Sequence, residues 1–105
     1  MKQGDIVLVP FPFTDLTGSK IRPALVQITT SLDVTLAFIT TQLQWQEPTD
    51  IVLMPNDLNG LKKASLVRLS KLATIDSELI SGRLGKLSSS DLRLIHQNLH
   101  VLFQL

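Results

Sequence analysis

Up to residue 87, the apolar residues of this chain come in short runs, each closed by a proline, a glycine or an Asn/Asp turn signal. That pattern constrains the fold more than any other feature, because short bounded apolar runs read as strands and leave little room for helices. Residues 6–9, Ile-Val-Leu-Val, read as a buried strand behind the turn signal Gly4-Asp5. Pro10 and Pro12 cannot donate to a ladder, so that strand ends or runs along an edge there. Residues 14–19 carry loop chemistry. Residues 24–30 read as the returning strand, and Ser31-Leu32-Asp33 joins them to a third strand over 35–40. A loop with Trp45, Glu47 and Pro48 leads to a short strand over 51–54. Turn signals follow at Pro55-Asn56-Asp57 and Asn59-Gly60. Residues 65–69 are the next strand, and residues 71–75 either continue it or turn away.

The last segment differs. Ser88 stands three residues before Asp91, a capping-box pattern. Leu92, Ile95, Leu99 and Leu102 then recur at helical spacing. Short strands followed by one amphipathic helix predict a mainly β (α+β) fold, a small curled sheet or barrel with a C-terminal helix.

At 105 residues, 44% of them apolar, the chain is expected to form one domain over 1–105 with a small core. A domain of this size keeps a large surface for its volume, which makes self-association a source of stability. The absence of cysteine excludes a disulfide framework and Cys-ligated metal. Residues 6–13 are broken by two prolines and lack the basic lead-in of a secretory signal. No stretch approaches the roughly 18 apolar residues that span a bilayer. The expectation is a soluble cytoplasmic protein without a membrane partner. The formal net charge is +1, so any basic patch must come from placement rather than excess.

Arg22-Pro23 is the most suggestive local feature. A charged side chain between a polar loop and an apolar run is costly to bury, and guanidinium suits phosphate. Read alone, Arg22 is either such a ligand or a surface arginine ahead of a strand-opening proline.

Gly4-Asp5-Ile6-Val7, Phe11-Pro12-Phe13, Lys20-x-Arg22-Pro23-Ala24-Leu25-Val26, Ile39-Thr40 and Ala73-Thr74-Ile75-Asp76 follow one another in an order that resembles the PemK/MazF family of toxins. The resemblance runs from Gly4 through the terminal helix. It implies an SH3-like barrel with a C-terminal helix, a homodimer, and metal-independent cleavage of single-stranded RNA without a cofactor. It also implies a cognate antitoxin of the MazE/PemI kind as partner, with indirect DNA contact through the antitoxin complex. By the same resemblance Arg22 and Thr40 act at the scissile phosphate, and residues 14–21 form a loop that partly covers it. One branch of the family places an acidic residue two positions past a strand arginine. Here that arginine would be Arg68 and the position holds Ser70, so the general base is left unassigned.

RNA contacts are expected from Phe13, Thr14, Asp15 and Lys20 on the loop side, from Thr41, Gln42 and Trp45 after the third strand, and from Arg68 and Ser70. Several of these have plainer readings. Thr40 and Thr41 alternate faces on a strand, so one of them is expected in the site. Asp15 is a proton acceptor or a turn residue bonded to its own backbone. Lys20 tracks RNA or is a solvated loop lysine. Trp45, with polar neighbours, offers a stacking face for a base or an interface contact. His96 and His100 stand four apart on the helix but lack the further ligands of a zinc motif. Arg68, Lys71, Arg83 and Lys86 form a solvated rim or steer RNA or an acidic antitoxin tail. A rival reading keeps the scaffold and drops the chemistry: a toxin like CcdB that traps DNA gyrase and cleaves nothing.

Overall fold

The computed structural model describes residues 1–10 and 20–105. Within them run β1 (Asp5–Pro10), β2 (Ile21–Thr29), β3 (Asp33–Thr40), β4 (Ile51–Leu53), β5 (Ser65–Asp76), β6 (Gly82–Lys86) and α1 (Ser89–Leu102), with single 3-10 turns at Leu43–Trp45 and Ser77–Leu79. The strands form one antiparallel sheet in the order β4-β5-β3-β2-β1-β6. Its curvature follows from one short link. β6 lies four strands from β5 in that order, about 19 Å across a flat sheet. Residues 77–81 must cover that span, and a 3-10 turn uses up part of their length. The sheet therefore curls. The Ser77 amide bonds to Leu32 O at 2.9 Å and the Ser81 amide to Leu8 O at 2.8 Å, which pins the link across the strand ends. The result is a curled sheet plus helix, the mainly β architecture expected.

β1 is described as far as Pro10, which still pairs with Ile21 of β2. β2 begins earlier than its apolar run: Ile21 pairs with Pro10, Arg22 with Val9 and Pro23 with Leu8. Arg22-Pro23 thus lies inside a strand rather than ahead of one. Proline is tolerated because the β3 ladder starts only at Ala24, so β2 is locally an edge at Pro23.

β5 continues through residue 76, which settles the alternative left at 71–75. It does so with a break in register. Ala37 of β3 pairs with Leu72, but Phe38 pairs with Arg68, so residues 69–71 have no β3 partner. β6 had no apolar run to announce it, carrying two glycines and two basic residues in five positions. It forms because β1 offers a free edge and because Gly85 lets the 54–61 loop press against the strand.

Both faces of the sheet bury apolar side chains. One face packs Ile6, Leu25, Ile39, Val67 and Leu69 against Ile95 of α1, with Leu92, Leu99 and Leu102 around it. The predicted helical stripe is thus the face that docks. The other face gathers Val7, Val9, Ala24, Val26, Val34 and Leu36, with Phe38, Ile75 and Ile80 packed against them. α1 starts where expected: Ser88 is the N-cap and its Oγ accepts the Asp91 amide at 3.2 Å. Ser88→Ala removes that acceptor and should lower stability by about 1 kcal/mol, read as a lower urea midpoint with unchanged slope.

Candidate functional site

The register explains why distant residues meet. Ala24 faces Phe38 across β2 and β3, and Phe38 faces Arg68 across β3 and β5. Carried on by two residues, the β2–β3 register sets Arg22 opposite Thr40. Cross-strand partners share a sheet face and alternate residues return to it. Arg22, Phe38, Thr40 and Arg68 therefore project from one face, at the end of the second core cluster.

They line an open cleft of about 400 Å³. Thr41, Gln42 and Trp45 complete its wall on the β3–β4 side, and Lys71 closes it on β5. Arg22, Arg68 and Lys71 bring three positive charges, and no acidic side chain lines the cleft among the described residues. The basic patch arises from placement, as a chain of net charge +1 requires.

Arg22 is exposed, and among the described residues no acidic group pairs with it. The Oγ1 of Thr40 accepts the Gln42 amide at 3.1 Å, which leaves its hydroxyl hydrogen available to a ligand. Both Thr40 and Thr41 line the cleft, where alternation predicted one. β3 ends at Thr40, and the chain turns before alternation can carry Thr41 to the other face.

Trp45 is 51% exposed on the turn after β3. Arg68 Cζ lies 5.6 Å from the centre of its ring, within the range of a cation–π contact. Behind Arg68 stands Asp50, its side chain fully buried. Asp50 Oδ1 accepts the Leu69 amide at 3.1 Å and Oδ2 accepts the Glu47 amide at 2.9 Å. Arg68 Nε lies 3.9 Å from Oδ2 and is buried without a hydrogen bond. The same loop is tied to the helix, since Asn98 Nδ2 donates to Thr49 O at 3.0 Å.

Of the residues singled out in the sequence, the cleft unites Arg22, Thr40, Thr41, Gln42, Trp45 and Arg68. Ser70 lines a neighbouring cleft with Glu47, Thr49 and Leu102, a cleft that shares Arg68 and Lys71 with the first. Lys20 is exposed just ahead of β2 and is not among the lining residues. Phe13, Thr14, Asp15 and most of the expected covering loop lie outside the described residues. The basic cluster divides. Arg68 and Lys71 face the cleft, whereas Arg83 pairs with Asp5 at 3.3 Å and Lys86 lies near the N-terminus of α1. His96 bonds to Gln3 Oε1 at 3.0 Å on the outside of the helix, and among the described residues no group of three metal-ligating side chains assembles. Phe38 and Ile39 were missed as lining residues because they read as ordinary strand apolars. No helix among the described residues is long and apolar enough to cross a membrane.

Comparison with known proteins agrees with this fold. The model of the PemK-like, MazF-like toxins of type II toxin–antitoxin systems matches residues 2–103, and the chain belongs to that family. Similar solved structures include a mycobacterial endoribonuclease in complex with its cognate antitoxin, at 18% identity and a TM-score of 0.76, covering 100% of this chain and 94% of that one. The Mycobacterium tuberculosis toxin MazF-mt6 matches at 23% identity and a TM-score of 0.74, covering 96% and 97%. MazF from Deinococcus radiodurans matches at 19% identity and 0.74, covering 100% and 97%. At these identities the likeness establishes a shared fold. No curated protein matches the chain in sequence.

Proposed function

We propose that the protein is an endoribonuclease toxin that cuts single-stranded RNA in the Arg22–Thr40 cleft without a metal, and that a cognate antitoxin blocks it. The observation that carries this reading is an exposed arginine with no ion pair among the described residues, converging with a donor-ready threonine in an open basic cleft. The RNA supplies its own nucleophile. A 2'-hydroxyl loses its proton and its oxygen attacks the adjacent phosphorus. The bond to the 5'-oxygen breaks, and that oxygen takes up a proton. The products are a 2',3'-cyclic phosphate and a 5'-hydroxyl. Arg22 would hold the crowded phosphate by two parallel N–H···O bonds, and Thr40 would add a third donor. Trp45 and Arg68 would take a splayed base, and Lys71 a flanking phosphate.

An antitoxin suited to this surface presents an acidic, disordered segment that orders along the cleft. A homodimer fits the size of the chain and its family, and operator DNA would then be reached only through the antitoxin.

The test is incubation of a long unstructured RNA with purified protein in EDTA, with product ends mapped. Cuts at a recurrent short sequence, bearing 5'-hydroxyl ends and undiminished by EDTA, are expected. A folded, growth-inhibiting protein that cuts nothing would replace this reading with a protein target.

A further inference from the structure

A carboxylate withdrawn from water is costly unless its lone pairs are used. Asp50 uses them on two separate elements. Oδ1 takes the amide of Leu69, a residue that the register break leaves without a β3 partner. Oδ2 takes the amide of Glu47, two residues past Trp45, and faces Arg68 Nε. One side chain thus fixes both the strand that carries Arg68 and the turn that carries Trp45. Each amide takes a different oxygen, so a neutral carboxamide, with one acceptor oxygen, would satisfy only one of them. The negative charge adds attraction for the guanidinium, which at 3.9 Å is an ionic contact rather than a hydrogen bond.

We propose that Asp50 is a positioning residue that holds the Arg68 guanidinium and the Trp45 indole stacked as one preformed wall of the cleft. The consequence for RNA rests on the function proposed above, but the wall itself can be read without RNA. A base arriving at a preformed wall meets ordered side chains, whereas two free ones must be immobilised on binding. Asp50 lines no part of the cleft and acts through the two residues that do.

Trp45 is the only tryptophan and the chain has no tyrosine, so intrinsic emission reports this wall alone. Asp50→Asn keeps the size, removes the charge and sets an amide donor against one of the groups Asp50 now receives. We expect red-shifted emission and stronger acrylamide quenching with far-UV circular dichroism unchanged. Affinity for a mixed-sequence 2'-deoxy oligonucleotide, which lacks the nucleophile and cannot be cut, should fall about tenfold, the scale of one lost stacking contact. Cleavage at saturating RNA should change little, so the loss falls on KM. Parent-like emission and oligonucleotide affinity in a folded Asp50→Asn protein would overturn the proposal. Should that variant fail to fold, hydrogen exchange in the parent decides. Slow exchange of the Glu47 amide supports the clamp, and exchange as free as in an exposed loop overturns it. A parent that neither binds nor cuts nucleic acid overturns the RNA reading instead, and the emission and exchange results still judge the wall.

Discussion

Arg22→Ala should slow RNA cleavage by about a hundred- to a thousandfold, the usual loss when one preorganised oxyanion donor is removed. Several features make this effect chemical rather than structural. Arg22 is exposed, has no ion pair among the described residues, and pairs with Val9 through backbone that alanine keeps. Stability should therefore stay near that of the parent, because surface changes away from such features are usually worth about 0.5 kcal/mol or less. Arg22→Lys is the sharper variant. It keeps the charge and loses the planar fork, so it should recover only part of the rate. Single-turnover cleavage of one mapped site, beside urea unfolding of each variant, separates the two effects. An alanine variant that cuts as fast as the parent would remove Arg22 from the chemistry.

Gly85→Ala should destabilise the protein by about 3 kcal/mol or more, at or above the top of the usual range for overpacking. A Cβ at this position would lie 2.4 Å from Leu58 O and 2.5 Å from both the carbonyl carbon and oxygen of Asn59. These are backbone atoms and cannot swing aside. Nor can their loop retreat. The side chain of Asn59, itself buried, accepts the amides of Asn56 and Leu61 at 3.1 and 2.9 Å and donates to Met54 O at 2.9 Å. The Lys86 amide bonds to Leu58 O at 3.0 Å from the strand side. Gly82, in the same strand, has nothing within 4 Å of an added Cβ, so Gly82→Ala is the control. Urea unfolding of the pair should show a large drop for position 85 and a small one for position 82. Equal midpoints would mean that the loop yields.

Much of the architecture was legible in the sequence because its signals are local. The apolar run 6–9 forms β1, Ser88 caps α1, and Leu92, Ile95, Leu99 and Leu102 mark the docked helix face. β6 was not legible, since Gly-Arg-Leu-Gly-Lys has neither an apolar run nor β-branched residues. Its strand character comes from the free edge of β1 and from the close approach at Gly85, both tertiary effects. The start of β2 was also misplaced, because Ile21-Arg22-Pro23 looks like a loop end until β1 pairs with it. The site shows the same division. Arg22, Thr40, Trp45 and Arg68 were named from residue chemistry and resemblance, and the cleft unites them. Asp50 carried no signal, because its importance lies in holding amides from Glu47 and Leu69, far apart in the chain. The alternation rule predicted one threonine in the cleft and failed at the first residue beyond the strand, where the rule no longer applies.

The three residues of β5 without a β3 partner have a consequence for how this cleft can vary. Within a regular ladder, gaining or losing one residue would turn every following side chain to the opposite face. Here the ladder already tolerates surplus length, and both flanking segments hold their registers independently. Arg68 precedes that stretch and Lys71 ends it, so a length change past Leu69, which Asp50 and the core hold, would move one charge relative to the other within the same sheet. The molecule thus has a built-in adjustment point, at which the spacing of its basic wall could be retuned to a different RNA without redesigning the sheet that carries it.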